Sequence, residues 1–431
     1  MLSIIIIVVI GVLVFLYLDG IMNQEQKHNL PSLISPYNKS LKIEMVAKGL
    51  SSPTSMAFVG SKNKNNKDIL VLEKKGTVRL ISAENGSIKE EPVLKLNVDA
   101  RGERGLLGIA TLNDNKNDDT VFLYYTQADP LRNKIYKYQW DGERLINPVL
   151  VLDLPAEPDA DHQGGKLKID PHNKFLFAVI GDLTAPNTKL QNNKYGKQSN
   201  DTSVIFRINV DKTSLSGKYY NNILFSNNTR DIKKEAFNNN NYYYYSYGIR
   251  NSFGLAIDPL TGNLWDTENG EDKYDEINVA RPGFNSGWIK IMGPISRNNK
   301  STIQSDLVNF PGYHYSDPVF SWKFPIGITD IEFLNSSSLG KKYRNNIFVG
   351  DINYGNIYYF EINSSRTGIK FDPVLTSSGL TDLVADNNNE TMAVTFGTNF
   401  GRITDIETGI DGFLYVLSYE DGKIFRIKGS M

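Results

Sequence analysis

Short apolar runs alternate with turns rich in Gly, Asn and Asp along most of the chain. Within the runs, apolar and polar positions alternate with a period of two, which is typical of half-buried β-strands. A strand, a turn and a second strand richer in aromatic residues form a unit that recurs along the chain. The second strands of the six copies begin near Ile69, Val121, Phe175, Leu264, Ile347 and Phe413.

The repeat predicts an all-β fold, a six-bladed β-propeller, because several copies add a third strand after another turn. A β-sandwich is the alternative, but six like-ordered hairpins are difficult to arrange in two sheets. The early strand "LKIEMVA" (Leu41 to Ala47) is expected to complete the blade of the C-terminal strands and close the ring. The predicted propeller spans residues 41–428. Polar insertions such as "NNNNYYYYS" (Asn238 to Ser246) are predicted to be loops.

The N-terminus predicts a membrane segment over residues 1–19. Residues 2–18 are apolar apart from Ser3 and Gly11, and as a helix they would extend roughly 25 Å. No basic stretch precedes this run and no small-residue cleavage site follows it, so we interpret it as an uncleaved signal anchor. A cleaved signal peptide is the alternative. Residues 20–40 are polar, contain two prolines and are interpreted as a stalk.

Eight Asn-x-Ser/Thr sites favour a glycosylated domain on the outer side of the membrane, or a secreted one. The chain has 47 basic and 48 acidic residues, so no net positive field attracts nucleic acid. It has no cysteine, which excludes disulfides and thiolate metal sites.

Four polar segments precede the first strand of a repeat. Since they occupy equivalent places, they are expected to meet on one face of the propeller as a composite site. They are "RGERGLLGIA" (101–110), "DADHQGG" (159–165), "YGIRNSFGLAIDP" (247–259) and "GTNFGRITDI" (397–406).

His162, one of four histidines in the chain, lies in the second of these segments. An imidazole can take a proton from an alcohol when a carboxylate such as Asp161, or a backbone group, orients it. Arg250 can stabilise a developing oxyanion and Asn251 can donate a hydrogen bond to a carbonyl. The alternative is that His162 is an ordinary polar loop residue.

A dense acidic segment is a candidate Ca²⁺ site, because Ca²⁺ prefers oxygen ligands. Gly270 has no side chain to block its carbonyl, and the predicted metal residues are Gly270, Glu271, Asp275 and Glu276. A solvated acidic loop is an equally open alternative. The carboxylates of the segment are Asp266, Glu268, Glu271, Asp272, Asp275 and Glu276.

These segments together resemble the glucose/sorbosone dehydrogenase family, whose soluble pyrroloquinoline quinone (PQQ) enzymes are six-bladed propellers. The resemblance rests on "ERGLLGIA", "DHQGGKLKIDP", "YGIRNSFGLAIDPLTGNLWDTENG" and "GRITDIETGIDGFLYVLS", in the expected order from about residue 43 to 428.

The resemblance implies that His162 is the general base, that Arg250 and Asn251 contact PQQ, and that backbone carbonyls at Gly270 and Glu271 hold Ca²⁺. It also implies that Glu103, Asp161 and Arg402 line the pocket. The implied activity is oxidation of a sugar or polyol, with an external electron acceptor.

The chain departs from the family pattern at four positions. Leu183 replaces a common glutamine, Asn353 a lysine, Thr404 an arginine and Glu271 a proline. Fewer cations are thus expected to meet the PQQ carboxylates. Two alternatives therefore stay open: a non-catalytic Ca²⁺-binding propeller module, and a Ca²⁺-dependent propeller hydrolase or lactonase.

Overall fold

The computed structural model describes residues 30–60, 67–112, 119–170, 172, 175–210, 242–298, 304–371 and 379–429. The predicted anchor, residues 1–19, lies outside these ranges. Nearly all regular structure in the described residues is β-strand. Among the helices of the described ranges, none is both long enough and apolar enough to cross a membrane.

The strands are numbered in chain order and have the following bounds: β1 Ser32–Leu33, β2 Leu41–Lys48, β3 Pro53–Gly60, β4 Lys67–Glu73, β5 Thr77–Ser82, β6 Leu94–Lys95, β7 Leu106–Leu112, β8 Asp119–Gln127, β9 Arg132–Trp140, β10 Leu145–Leu154, β11 Leu167–Ile169, β12 Phe175–Ile180, β13 Val204–Asn209, β14 Tyr242–Tyr247, β15 Gly254–Ile257, β16 Leu264–Glu268, β17 Asp275–Ala280, β18 Phe284–Asn285, β19 His314–Tyr315, β20 Phe320–Trp322, β21 Ile328–Phe333, β22 Ile347–Asp351, β23 Ile357–Phe360, β24 Val384–Ala385, β25 Thr395–Thr398, β26 Ile403–Thr408, β27 Leu414–Ser418 and β28 Lys423–Gly429.

One short α-helix, α1 (Asn388–Val394), is capped by the Asn387 side chain, which accepts hydrogen bonds from the backbone N–H of Asn389 and Glu390. The described 3₁₀ turns are Tyr37–Lys39, Lys189–Gln191, Ile295–Arg297, Gln304–Asp306 and Lys341–Tyr343.

The described strands form six sheets, which we number as blades in the chain order of their innermost strands. Their innermost strands contact one another in a closed cycle, β3–β7–β11–β15–β21–β26 and back to β3. Each of the six predicted second strands lies in a different blade, which confirms the all-β propeller. The blades are β3–β6, β7–β10, β11–β14 with β18 and β19, β15–β17 with β20 and β24, β21–β23 with β25 and β1, and β26–β28 with β2.

The ring is closed by pairing between the two ends of the domain. Strand β2 pairs antiparallel with β28, from Leu41 opposite Gly429 to Lys48 opposite Lys423. This confirms the predicted role of the Leu41–Ala47 strand. Because β2 comes before blade 1 in the chain and β28 belongs to blade 6, their pairing joins the last blade to the first.

The core lies between the blades, because alternate residues of each strand face a neighbouring sheet. Large aromatic rings fill these layers where blades 4 and 5 meet. Trp265, Trp322 and Tyr358 are fully buried there, and the rings of Trp322 and Tyr358 lie 5.0 Å apart. Aromatic pairs of this kind stabilise a core beyond the area that they bury.

Two sequence predictions need correction. The "NNNNYYYYS" segment is not wholly a loop, because Tyr242–Tyr247 form β14 and the rings of Tyr244 and Tyr245 are buried. The C-terminal part of the predicted stalk packs on blade 5. There β1 pairs with β25, Leu33 is buried, and the Tyr37 ring lies 4.6 Å from that of Phe396. The burial of the apolar side chains of Leu33 and Tyr37 drives this packing.

An ionic network fills the axis of the propeller, and we call it the axial column. The Lys166 ammonium lies 2.8 Å from Asp330 and 2.5 Å from Asp405, while Lys168 lies 2.9 Å from Glu332. Glu407 completes the column, 3.2 Å from Lys168. The lysines belong to blade 3 and the carboxylates to blades 5 and 6, so the side chains meet across the centre of the ring.

Candidate active site

A cavity of about 500 Å³ opens at one end of the axial column. All six blades contribute to its walls, and the four predicted polar segments supply Gly102, Glu103, Leu107, His162, Gly164, Arg250, Asn251, Phe253, Arg402 and Thr404. The volume lies within the range of small-molecule sites. The structure thus brings the four segments together as one composite site.

His162 is held in the cavity wall by its backbone and its ring. Its φ of 57° is in the left-handed region, which a non-glycine residue adopts at a cost. The ring is largely buried, and Nδ1 lies 2.6 Å from Oδ1 of Asp182. Asp182 follows β12, the strand adjacent to the one that begins after His162.

The surroundings of Asp182 fix the tautomer of His162. Asp182 also accepts hydrogen bonds from Nε1 of Trp288 at 2.7 Å and from the backbone N–H of Thr184 at 2.8 Å. Because both oxygens of Asp182 already act as acceptors, Nδ1 of His162 is assigned as the protonated nitrogen that donates to it. Nε2 is therefore the ring nitrogen that is left to accept a proton from a ligand.

The prediction that Asp161 orients His162 is corrected by this geometry. Asp161 is exposed and is not among the residues that line the cavity. Its backbone carbonyl accepts a hydrogen bond from Gln163, which holds the loop. The orienting carboxylate is Asp182, because the strand that precedes it runs beside the His162 loop.

Glu103 and Asn251 form a pair in the cavity wall near His162. The Asn251 amide donates to both carboxylate oxygens of Glu103, at 3.2 and 3.0 Å. Burial raises the pKa of Glu103, while the hydrogen bond from Asn251 and the nearby His162 oppose that rise. The Asn251 NH₂ group, which was expected to donate to a ligand carbonyl, thus donates to Glu103 instead. The buried Oδ1 of Asn251 has no protein partner in the described structure.

Arg250 is positioned by both its backbone and its guanidinium. The backbone N–H donates to buried Glu268 at 2.7 Å, and Nη1 donates to the Asn269 carbonyl at 3.1 Å. The guanidinium lies over the Trp288 ring at 5.4 Å. Its Nε is buried and has no hydrogen-bond partner among the described residues.

The predicted metal residues are only partly brought together. Gly270 and Asp275 line the cavity, but Glu271 is exposed and, like buried Glu276, is not among the lining residues. The Asp275 carboxylate accepts backbone N–H bonds from Gly270, Ile326 and Ile328 at 2.9–3.0 Å.

The three predicted carboxylates, Glu271, Asp275 and Glu276, are therefore not a set of free Ca²⁺ ligands. The alternative interpretation, a solvated loop, is also wrong for most of the acidic segment. Four of its carboxylates lie in strands and are buried: Asp266, Glu268, Asp275 and Glu276. Within the described ranges, the group with metal-binding spacing is Asp330, Asp405 and Glu407, where the Lys166 ammonium already lies.

The family departures have different positions in the structure. Leu183 is buried in the core between blades 2 and 3 and does not line the cavity. Asn353 and Thr404 do line it, and Thr404 donates to the Pro53 carbonyl at 2.9 Å. Arg402 lies at the exposed edge, 3.6 Å from Glu420.

Sequence reasoning missed the roles of Asp182, Trp288 and Lys74. Asp182 ends the "IGD" strand directly after an apolar run, and a carboxylate at that place was a usable signal. Trp288 is 106 residues from Asp182, so no local pattern relates the two. Lys74 lies in a hairpin turn of blade 1 and lines the cavity.

Two relatives with known names are sugar dehydrogenases. It is 23% identical over 396 residues to the aldose sugar dehydrogenase YliI of Escherichia coli, covering 90% of this chain and 93% of the relative. It is 30% identical over 241 residues to quinoprotein glucose dehydrogenase B of Acinetobacter calcoaceticus, covering 51% of this chain and 47% of that protein.

Solved structures share the fold. A PQQ-bound aldose sugar dehydrogenase of Streptomyces coelicolor aligns over 90% of this chain and 98% of its own, with a TM-score of 0.61 and 22% identity. The sequence model described as glucose/sorbosone dehydrogenase matches residues 50–426, nearly the whole propeller. The chain therefore belongs to the glucose/sorbosone dehydrogenase family.

Proposed function

We propose that the chain oxidises a sugar or related polyol in this cavity, with PQQ as the hydride acceptor and Ca²⁺ beside it. The observation that carries the proposal is the His162–Asp182 pair, which leaves Nε2 of a largely buried imidazole available in the cavity wall. Such a pair is suited to remove a hydroxyl proton, whereas a binding module has no need of it.

The residues present fit PQQ, a planar o-quinone with three carboxylates. Arg250 and Arg402 line the cavity, and the buried polar atoms Arg250 Nε and Asn251 Oδ1 lack protein partners among the described residues. Unpaired buried polar groups are costly, and a polar ligand would satisfy them. When bound, PQQ supplies a two-electron acceptor for the hydrogen on the reacting carbon.

The chain's own residues then handle the proton and the developing charge. Nε2 of His162 takes the hydroxyl proton, and the Asp182 carboxylate stabilises the imidazolium that results. Trp288 holds Asp182 in place through its 2.7 Å hydrogen bond. Arg250, rigid between Asn269 and the Trp288 ring, provides positive charge where an oxyanion would develop.

Ca²⁺ would be held at the Gly270 turn. Because the Asp275 oxygens are occupied by backbone amides, the ligands would be backbone carbonyls of this turn together with oxygens of PQQ. Millimolar Ca²⁺ should then raise the thermal midpoint more in the presence of PQQ than in its absence. Glu271→Gln should leave that shift unchanged, and a shift lost in this variant would restore its side chain as a ligand.

The test of the function is dye reduction over a panel of sugars with PQQ and Ca²⁺ added to the purified chain. His162→Ala should lower kcat by about 10²–10⁴-fold while the PQQ dissociation constant changes little. Asp182→Asn should also lower kcat, because an amide does not hold the productive tautomer. His314→Ala, an exposed histidine outside the cavity, is the matched control. A parent chain with neither quinone binding nor turnover would contradict the proposal.

We further propose that the propeller faces the outer side of a membrane to which residues 1–19 anchor it, or is secreted. The apolar run and the eight Asn-x-Ser/Thr sites support this placement. Protease accessibility of the propeller in intact cells tests it, since an inward-facing domain would be protected.

A further inference from the structure

We propose that the Lys74 ammonium binds a carboxylate of the ligand in the cavity. The inference rests on the proposed function, because it assigns a further binding residue to the same site. Lys74 lies in the turn between β4 and β5 of blade 1, outside the four polar segments from which the site was predicted.

Three parts of Lys74 are held in place: its backbone, its aliphatic stem and its ammonium. Its backbone N–H donates to the Ser52 carbonyl at 3.0 Å, and its carbonyl accepts from Leu106 at 2.9 Å, which ties the turn to blade 2. Its stem crosses Gly105, where an added Cβ would lie 2.7 Å from Cγ of Lys74. Its ammonium donates to the Gly102 carbonyl. A lysine held this firmly loses little further freedom when a ligand binds.

The charge around Lys74 sets it apart from two other cations that line the cavity. Lys166 is neutralised by Asp330 and Asp405 within the axial column. Arg402 lies beside Glu420. The Lys74 ammonium has no carboxylate at ion-pairing distance among the described residues, and its one hydrogen bond there is to the neutral Gly102 carbonyl.

An ammonium has three donors, so Lys74 keeps two that no described residue accepts. A half-buried cation with spare donors in a cavity wall favours an anionic group of the ligand. Asn353 and Thr404 are uncharged, so neither supplies positive charge to the cavity, whereas Lys74 supplies it on the blade 1 side.

The carboxylate has two possible sources, PQQ or an acidic sugar. The first measurement is the PQQ dissociation constant of the full chain with Ca²⁺, followed by quenching of tryptophan fluorescence. If PQQ is the source, Lys74→Ala should weaken PQQ binding by about ten- to a hundredfold, and Lys74→Arg by much less. Added salt should narrow the difference between parent and Lys74→Ala, because the site is open to solvent.

The second measurement is KM at saturating PQQ for glucose and for glucuronate. If the sugar is the source, Lys74→Ala should raise KM for glucuronate about tenfold or more, while KM for glucose and the PQQ dissociation constant stay unchanged. Lys75→Ala is the matched control, because Lys75 is the exposed neighbour in the same turn and does not line the cavity.

If Lys74→Ala and Lys75→Ala have the same PQQ dissociation constant and the same KM for glucuronate, the proposal is overturned while the proposed function stays intact. Thermal midpoints of the variants show that each is folded. Failure of the proposed function has a different signature, since the parent chain itself would then bind no PQQ and turn over no sugar.

Discussion

The propeller buries two groups of carboxylates and stabilises them by different means. In the axial column, the carboxylates of blades 5 and 6 surround two lysine ammonium groups from blade 3. In the blade 4 acidic segment, the buried carboxylates form no ion pair among the described residues. Asp275 and Glu268 accept backbone N–H bonds instead. The side-chain oxygens of Asp266 have no hydrogen-bond partner within the described structure.

The difference separates two structural tasks. Charges that pair across the axis hold blades 3, 5 and 6 together at the point where their inner strands meet. Carboxylates that accept hydrogen bonds from backbone amides attach loops to one blade. Asp275, for example, joins the Gly270 turn to the 326–328 loop of the cavity wall. Dense acidic sequence therefore does not by itself indicate a metal site, because backbone amides satisfy the same oxygens.

Removal of a cation from the axial column is expected to have the largest effect. Lys166→Met would leave Asp330 and Asp405 buried without their ammonium, which should lower the free energy of unfolding by about 3–5 kcal/mol in urea. Lys370→Met, which removes an exposed ion pair of 2.7 Å with Glu361, should cost no more than about 1 kcal/mol. Equal losses would mean that burial adds nothing to the column.

The same column should give stability a pH dependence. Burial raises the pKa of Glu407 to about 7, against an ordinary value of 4.5. The folded chain therefore keeps this proton in a window where the unfolded chain has released it. Rising pH lowers the free energy of unfolding across that window.

Relative to the parent, Glu407→Gln should gain up to about 3 kcal/mol between pH 4.5 and 7, because the amide does not titrate. Urea unfolding at a series of pH values measures this. The exposed-site control, Glu361→Gln, should show no such trend. A gain in the opposite direction would contradict the raised pKa.

In blade 4, Asp275→Asn is expected to cost about 1–3 kcal/mol, because an amide NH₂ would face backbone N–H donors and leave one unsatisfied. Chemical denaturation checks the value. Asp272→Asn, at an exposed carboxylate of the same turn, should be neutral. If both variants are neutral, Asp275 does not hold the cavity wall.

Asp266→Asn should change stability by less than about 1 kcal/mol, the smallest effect of the four. Burial beside Glu268 raises the pKa of Asp266 well above its ordinary range, so the folded chain already holds a neutral acid there. At Asp405, one oxygen accepts from Lys166 and the other from Ser55 and the Met56 N–H, so the same substitution replaces one of these acceptors with an NH₂ group and should cost clearly more. Similar costs at both sites would remove the distinction between the two groups.

The architecture could be predicted from the sequence because its cause is local. Strand, turn and aromatic strand repeat within each blade, and the pairing of β2 with β28 followed from an unmatched early strand. The composite site was predictable for the same reason, since equivalent places in a repeat project onto one face.

The partners of individual side chains could not be predicted in this way. Asp182 meets His162 across 20 residues and Trp288 across 106, and these contacts depend on how blades and loops pack. Which carboxylates of the acidic segment line the cavity depends on strand register, because Asp275 and Glu276 are adjacent in β17 and face opposite sides. Leu33 and Tyr37 lie in a stretch that is polar overall. Its composition therefore predicted a stalk, although these two apolar side chains pack on blade 5.

The closure of the ring has a consequence for how the chain is made. Residues 41–48 emerge from the ribosome long before their partner β28, because the whole of the intervening propeller is synthesised between them. At ordinary rates of translation, the β2 edge waits roughly 20–80 seconds for β28. An unpaired strand invites aggregation unless charge protects it. Exposed Lys42 and Lys48, with Glu44 between them, give β2 that protection until β28 has been made.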